Sequence, residues 1–274
     1  MLNDLPLNIR HNINCYKFAD DGTIVVFHKN AQVCLDLMQQ VCDHLGQWCK
    51  SNQVVLNCSK NKTEAIILKT AAQDSLRMGV TPKLMICGSA IEYVQTTKVL
   101  GIILDEDLSF IPHAKQKLKQ CNQSWGLIKR NTSRVHGLNT RSLTYLFRTV
   151  VLTKLLYGGV VWLSNNLSIF DSLWNDVMLK CSGSMFYPHR ELTELMLQLP
   201  PLDVQLEILT IKFLCKCLNS KDMMSSIIQQ IDGCLGTEMH HQLNSLKDFL
   251  AWKLGIKSRR HIDLMDSKVL QAGN

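Results

Sequence analysis

The sequence predicts an α+β chain in which a partial antiparallel sheet with one packed helix is followed by an all-helical region. Three observations carry this. Through about residue 104, short β-branched and apolar runs alternate with Gly-, Asn- and Ser-rich turns. From Leu108 onward, apolar residues recur at the three- and four-residue spacing of a helix face instead. The 274 residues are 46% hydrophobic and 7% aromatic, with a mean hydropathy of zero, which excludes a disordered or fibrous chain and allows a real core. The predicted divisions are 1–104, 105–200 and a helical tail, 201–274.

Taken in order, "MLNDLPLNIRHNINC" reads as the end of an element and a connector, broken at Pro6. "CYKFADDGTIVVF" reads as two short strands flanking Ala19-Asp20-Asp21-Gly22, with Asp-Gly as the tight-turn signal. In "NAQVCLDLMQQVCDHLGQWCKSN", Cys34, Leu37, Met38, Val41, Leu45 and Trp48 fall on one helix face. "VVLNCSKNKTEAIILK" is expected to form strand, turn and strand. A further strand pair is expected from "KLMICGSAIEYV", turning at Gly88-Ser89, and from "KVLGIILDED", with Gly101 between apolar pairs. Two amphipathic helices follow. The first has Ala114, Leu118, Cys121, Trp125 and Ile128 on one stripe. The second has Leu143, Leu146, Phe147, Val150 and Val151 facing one way, Arg141 and Arg148 the other, and a stop at Gly158-Gly159. Trp125, Phe147 and Trp162 are expected in the core. Further helical patterns, "IFDSLWNDVMLKCSGSMF" and "LDVQLEILTIKFLCKCLNS", are separated by Pro188 and Pro200-Pro201, and "HHQLNSLKDFLAWKLGIKSRR" reads as a last helix ending in basic residues.

The net charge of +7 conceals an asymmetry. From Leu108 to Phe170 the chain carries nine basic residues and no Asp or Glu, whereas the remainder carries 21 basic and 23 acidic residues. A solvated helical surface normally mixes both signs, so this segment points to a polyanionic partner. The eleven cysteines follow no framework spacing, and no hydrophobic leader precedes the first charges, as expected of an intracellular chain, nuclear or cytoplasmic, rather than a secreted one. The longest apolar window, "TVVLTKLLYGGVVWL", is interrupted by Lys154 and Gly158-Gly159, so no membrane association is expected.

Adjacent carboxylates on a hairpin suit Mg²⁺, a hard cation that takes oxygen ligands; on composition alone the motif is weak, because Asp-Asp-Gly is far more often just a solvated turn. The ordered series adds to this. Phe18-Ala19-Asp20-Asp21, the amphipathic helix, "VVLNCSKNKTEAI", "KVLGIILDEDLSFIPHAKQKL" and "YLFRTVVLTKLLYGGVVWL", with "NDLP" upstream, resemble the C-terminal part of a reverse transcriptase from a non-LTR (LINE-type) retrotransposon. The resemblance covers about residues 1–200. It implies a truncated palm over 1–104, with a catalytic hairpin and a primer-grip hairpin, then a basic thumb and connection over 105–200.

The resemblance further implies RNA-directed DNA polymerisation, in which a primer 3′-hydroxyl attacks a nucleotide α-phosphate across two Mg²⁺ ions. Asp20 and Asp21 would be metal ligands and catalytic residues. Lys62 would lie near the incoming nucleotide, although extra residues in "NCSKNKTE" leave Lys60 as the other choice. Val99, Leu100 and Gly101 would position the primer end, or form a plain buried strand with a glycine bulge. Lys115, Lys119, Arg130 and Arg134 would face the backbone of an RNA template–DNA primer duplex, with deoxynucleotide triphosphates as further partners. His113 matches a thumb histidine and is expected at a helix start rather than on a metal. Asp4, the sole upstream acid, is not placed to be the family's third carboxylate. Neither the fingers nor that earlier strand is recognisable, so the isolated chain is expected to bind Mg²⁺ weakly and not to polymerise. The alternative is a non-catalytic nucleic-acid-binding remnant that uses the basic thumb.

Overall fold

A computed structural model describes residues 12–59, 62–68, 83–130, 138–184 and 189–219. The expected connector over 1–11, Lys60, Arg134 and the tail helix beyond 219 lie outside the described residues. The chain divides into two compact units, Met1–His113 and Ala114–Asn274.

Unit 1 is built on a hairpin and one long helix. Strands β1 (Ile13–Phe18) and β2 (Asp21–Val26) pair antiparallel, with Ile13 opposite Val26 and Phe18 opposite Asp21. The turn is therefore Ala19-Asp20, and Asp21 and Gly22 belong to β2, which corrects the expected turn at Asp-Gly. Cross-strand packing outweighs turn chemistry here: this register places Ile13 and Cys15 beside Val26 and Ile24 on one face, which centring the turn on Asp-Gly would lose. Helix α1 (Ala31–Ser51) starts at Asn30, whose side chain accepts the Gln32 N–H at 2.9 Å. Its buried stripe is Leu37, Val41, Cys42, Gly46 and Cys49, rotated from the expected one so that Trp48 and Cys34 are only half-buried. Gln39 explains part of the rotation. Its amide donates to the Met85 carbonyl and accepts the Met85 N–H, both at 2.9 Å, holding a strand against the helix as a neighbouring strand would.

The expected single sheet is instead a set of two-stranded ladders. Strands β4 (Met85–Ile86) and β5 (Ser89–Ala90) turn at Cys87-Gly88, one residue earlier than expected. Strands β7 (Thr96–Val99) and β8 (Ile102–Asp105) turn at Leu100-Gly101. All four turn residues have positive φ, the conformation whose twist matches the flanking strands. Strand β3 (Glu64–Ala65) pairs parallel with β6 (Glu92–Tyr93). The strand expected before β3 does not form. Val55 is 93% exposed. Asn57 instead accepts the Ser59 N–H and hydroxyl on its side chain and the Thr63 hydroxyl on its carbonyl, local bonds that compete with a ladder.

Helix α2 (Ile111–Arg130) leads from unit 1 into unit 2, which is helical as expected. Helix α3 (Thr140–Leu146) passes through one π-helical stretch (Phe147–Leu152) into α4 (Thr153–Leu156). Then come α5 (Gly159–Trp162), a 3₁₀ stretch (Ser164–Phe170), α6 (Asp171–Ser182), α7 (Arg190–Met196) and α8 (Leu202–Asn219). Gly158 ends α4 in the left-handed conformation. The core is aromatic: Phe147, fully buried, meets Trp125 and Trp174 edge-on, each at 5.7 Å between ring centres, and Trp162 lies 5.9 Å from Phe170. Trp125, Phe147 and Trp162 are thus core residues.

Candidate catalytic hairpin and basic helix

The β1–β2 hairpin carries the acidic pair. Ala19 holds φ +54°, unusual for a residue with a Cβ, at the first of the two turn positions. Asp20 follows at the tip and Asp21 opens β2, both exposed. A two-residue turn puts the carboxylates at one end of a stiff ladder, with Asp21 on the same face as Phe18, 65% exposed, and Tyr16. Neither aspartate has a side-chain partner among the described residues. Two adjacent carboxylates fit a hard cation as a partial ligand set. Among the described residues, however, no group of three or more His, Cys, Asp or Glu is arranged to hold a metal.

Lys62 is exposed in the turn before β3, its N–H donating to the Ser59 carbonyl at 3.1 Å. Val99 closes β7, and Leu100 and Gly101 form the tip of the β7–β8 hairpin, so the glycine serves a tight turn, not a strand bulge. Leu100 is 48% exposed. Below that hairpin, the Nδ1 of buried His113 accepts the Ile103 N–H at 3.1 Å, a packing role at the start of α2.

In unit 2 the basic residues divide. Four are occupied within the fold. Lys129 reaches Asp176 at 2.5 Å, and Lys154 donates to the Ser124 hydroxyl at 2.7 Å. Lys117 lies over the Tyr157 ring, 5.1 Å from its centre. Arg148 donates to the carbonyls of Leu197 and Gln198, where α7 ends. This corrects the expectation that Arg148 faces outward: it is half-buried and satisfies orphan carbonyls of a helix terminus. Lys115, Lys119 and Arg130 are exposed and carry no partner among the described residues. Their spacing of 4 and then 11 residues keeps all three on one stripe of α2, opposite buried Ala114, Cys121 and Trp125.

Sequence reasoning missed the carboxylates that brace this unit. Asp176 accepts from both Trp125 Nε1, at 2.7 Å, and Lys129. Glu194, buried on α7, accepts from Trp174 Nε1 at 2.7 Å and from Arg190 Nε at 3.1 Å, and Arg190 also reaches Asp171. Asp176 lies 51 and 47 residues from its two donors and Glu194 lies 20 from Trp174, so no local pattern announces those bonds; only the Arg190–Glu194 pair, at i,i+4 on α7, has a spacing legible in the sequence.

No family model matches the chain, and no solved structure does. Among curated proteins, the chain is 28% identical over 145 residues to a retrovirus-related Pol polyprotein from the type-1 retrotransposable element R1 of Bradysia coprophila. That match covers 53% of this chain and 14% of the relative. A probable RNA-directed DNA polymerase from transposon BS of Drosophila melanogaster is 24% identical over 62% of this chain and 18% of its own length. The RNA-directed DNA polymerase from mobile element jockey of Drosophila melanogaster is 23% identical over 72% of this chain and 21% of its own length. The chain spans about a fifth or less of each of these relatives. It is similar, over more than half of its residues, to reverse transcriptases and Pol polyproteins of non-LTR retrotransposons.

Proposed function

We propose that the chain is a C-terminal portion of the polymerase region of a non-LTR retrotransposon RNA-directed DNA polymerase. Residues 1–104 are read as part of the palm, 105–200 as thumb and connection, and 201–274 as a helical tail. The carrying observation is the β1–β2 hairpin, whose two-residue turn presents Asp20 and Asp21 together and exposed, in a chain similar to RNA-directed DNA polymerases. In this reading Asp20 and Asp21 bind Mg²⁺, Lys62 lies near the nucleotide phosphates, and Val99, Leu100 and Gly101 seat the primer end. Mg²⁺ held there would supply charge stabilisation for phosphoryl transfer. Two carboxylates without a third hold it weakly, because ligand count and preorganisation set affinity. The isolated chain therefore does not polymerise. Incubated with an RNA template, a DNA primer, deoxynucleotide triphosphates and Mg²⁺, it should yield no extended primer. A product that disappears in Asp20→Asn would show that the ligand set is complete and overturn the inactivity.

A second reading, a nucleic-acid-binding module, is favoured by the stripe of Lys115, Lys119 and Arg130, to which Arg134 is added from the sequence. Phosphate contacts of this kind position a duplex without reading its bases. Binding of an RNA–DNA hybrid should weaken linearly with the logarithm of salt concentration. The double variant Lys115→Ala/Lys119→Ala should flatten that slope by about 2, since each lost phosphate contact removes roughly 0.9. Asp20→Asn should leave the slope unchanged. A double variant with the wild-type slope would remove α2 from the interface.

A further inference from the structure

Unit 1 gathers thiols that neither the polymerase reading nor the basic helix uses. Cys42, Gly46 and Cys49 are spaced by four and three residues on the buried stripe of α1. Cys87, exposed and with φ +51°, is the first turn residue between β4 and β5. It sits over Gly46: a Cβ added to that glycine would lie 3.4 Å from the Cys87 Sγ and 3.6 Å from its backbone nitrogen. The missing side chain thus makes room for the Cys87 thiol, one helical turn from Cys49. Cys49, Cys58 and Cys87 line one open cavity of about 820 Å³, together with Lys50, Ser59 and Ser89. Among the described residues no such group is arranged to hold a metal ion, which favours sulfur–sulfur chemistry over ligation.

We propose that Cys87 is an oxidation-sensitive thiol that a hydroperoxide converts, through a sulfenic acid, into a reversible disulfide with Cys49, pinning the β4–β5 turn to α1. Cys87 reacts first because, of the three thiols lining the cavity, it is the exposed one. Its thiolate attacks one peroxide oxygen, the O–O bond breaks, and the departing oxygen, once protonated, leaves as water from hydrogen peroxide or as an alcohol from an organic hydroperoxide, giving Cys87 sulfenic acid. The Cys49 sulfur then attacks the Cys87 sulfur. The S–O bond breaks, and hydroxide leaves with the Cys49 proton as water. Two electrons pass from the two sulfurs to one peroxide. Cys49 and Cys58 are held as thiols until then: burial pushes both above the usual cysteine value, and the neighbouring thiolate positions add to the effect. The β4–β5 turn stands on two-residue strands, so few ladder bonds oppose its movement onto α1 as the disulfide closes.

The test is peptide mapping of the full chain after brief exposure to hydrogen peroxide and alkylation of remaining thiols. The expected product is a Cys49 peptide joined to a Cys87 peptide, lighter by two hydrogens and released by dithiothreitol. Cys87→Ser should abolish it and Cys58→Ser should retain it. Melting scans of the reduced variants are read alongside, so that loss of the link is separated from loss of fold. A Cys58–Cys87 link, a Cys87 carried to sulfinic acid without any link, or a Cys49–Cys87 link no more abundant than links to distant cysteines would each overturn the proposal.

Discussion

Asp105 and Phe110 are joined across the entry to α2 by a 2.7 Å hydrogen bond from the Phe110 N–H to the Asp105 carboxylate. The other carboxylate oxygen accepts the Ser109 hydroxyl at 2.7 Å and the Ser109 N–H at 3.0 Å. Leu108 and Phe110 both have positive φ in this turn, and buried Asp105 holds the backbone there. "LDEDLSF" is thus a structural knot between β8 and α2.

Loss of that knot should be costly. Asp105→Ala leaves three part-buried donors without their acceptor and should lower stability by roughly 1–3 kcal/mol, and Asp105→Asn, which keeps an acceptor but loses the charge, by about 1 kcal/mol. Urea unfolding followed by circular dichroism measures both.

The same group predicts a pH dependence. Burial pushes the Asp105 carboxyl upward, but the Ser109 hydroxyl and the N–H groups of Phe110 and Ser109 together outweigh it and hold it below the usual carboxylate value. A folded value below the unfolded one means that its stabilisation is complete above about pH 5 and is lost as pH falls through the folded value. The urea midpoint of the wild type should therefore fall more steeply below about pH 5 than that of Asp105→Asn. Parallel curves would show that Asp105 does not drive the loss.

Glu194 should matter more than its place on a short helix suggests. Glu194→Ala strands the Trp174 indole N–H in the core and releases Arg190, and should cost about 2–3 kcal/mol. Changed near-ultraviolet dichroism with conserved helix content would show that the tryptophan cluster, not the helices, has responded.

Leu100 carries strain that can be removed. It is half-exposed with φ +47° before Gly101, a pair of positions that Asn-Gly suits. Leu100→Asn should raise stability by about 1 kcal/mol, since the left-handed conformation costs an ordinary residue about that much. An unchanged or lower urea midpoint would mean that Leu100 contributes packing that outweighs the strain.

Phe147 sits between two tryptophans at the start of the π-helical stretch. Phe147→Ala should cost roughly 3–5 kcal/mol, enough to unfold a marginal unit, whereas Phe147→Leu should cost about 1–2 kcal/mol. Tryptophan emission should move to longer wavelength in the alanine variant as water reaches the cluster.

By itself the sequence determined the strand-then-helix order, the Asp-bearing hairpin, the amphipathic α1 and the aromatic core of unit 2. Each rests on a local period that backbone geometry translates directly into a face. The acidic pair and the exposed stripe of Lys115, Lys119 and Arg130 were legible for the same reason. What only the tertiary structure decided depends on partners distant in the chain. The hairpin turn moved to Ala19-Asp20 because cross-strand apolar pairs set the register. The stripe of α1 rotated toward Cys42, Gly46 and Cys49, where the β4–β5 turn and the Gln39–Met85 bonds meet it. Four of the nine basic residues between Leu108 and Phe170 are engaged by other groups of unit 2, since a cation beside a carbonyl, a hydroxyl, a ring or Asp176 already has a partner even where, as at Lys154, the residue stays exposed. Charge can be counted along a sequence, but whether it faces solvent depends on which side chains the fold brings within a few ångströms of it.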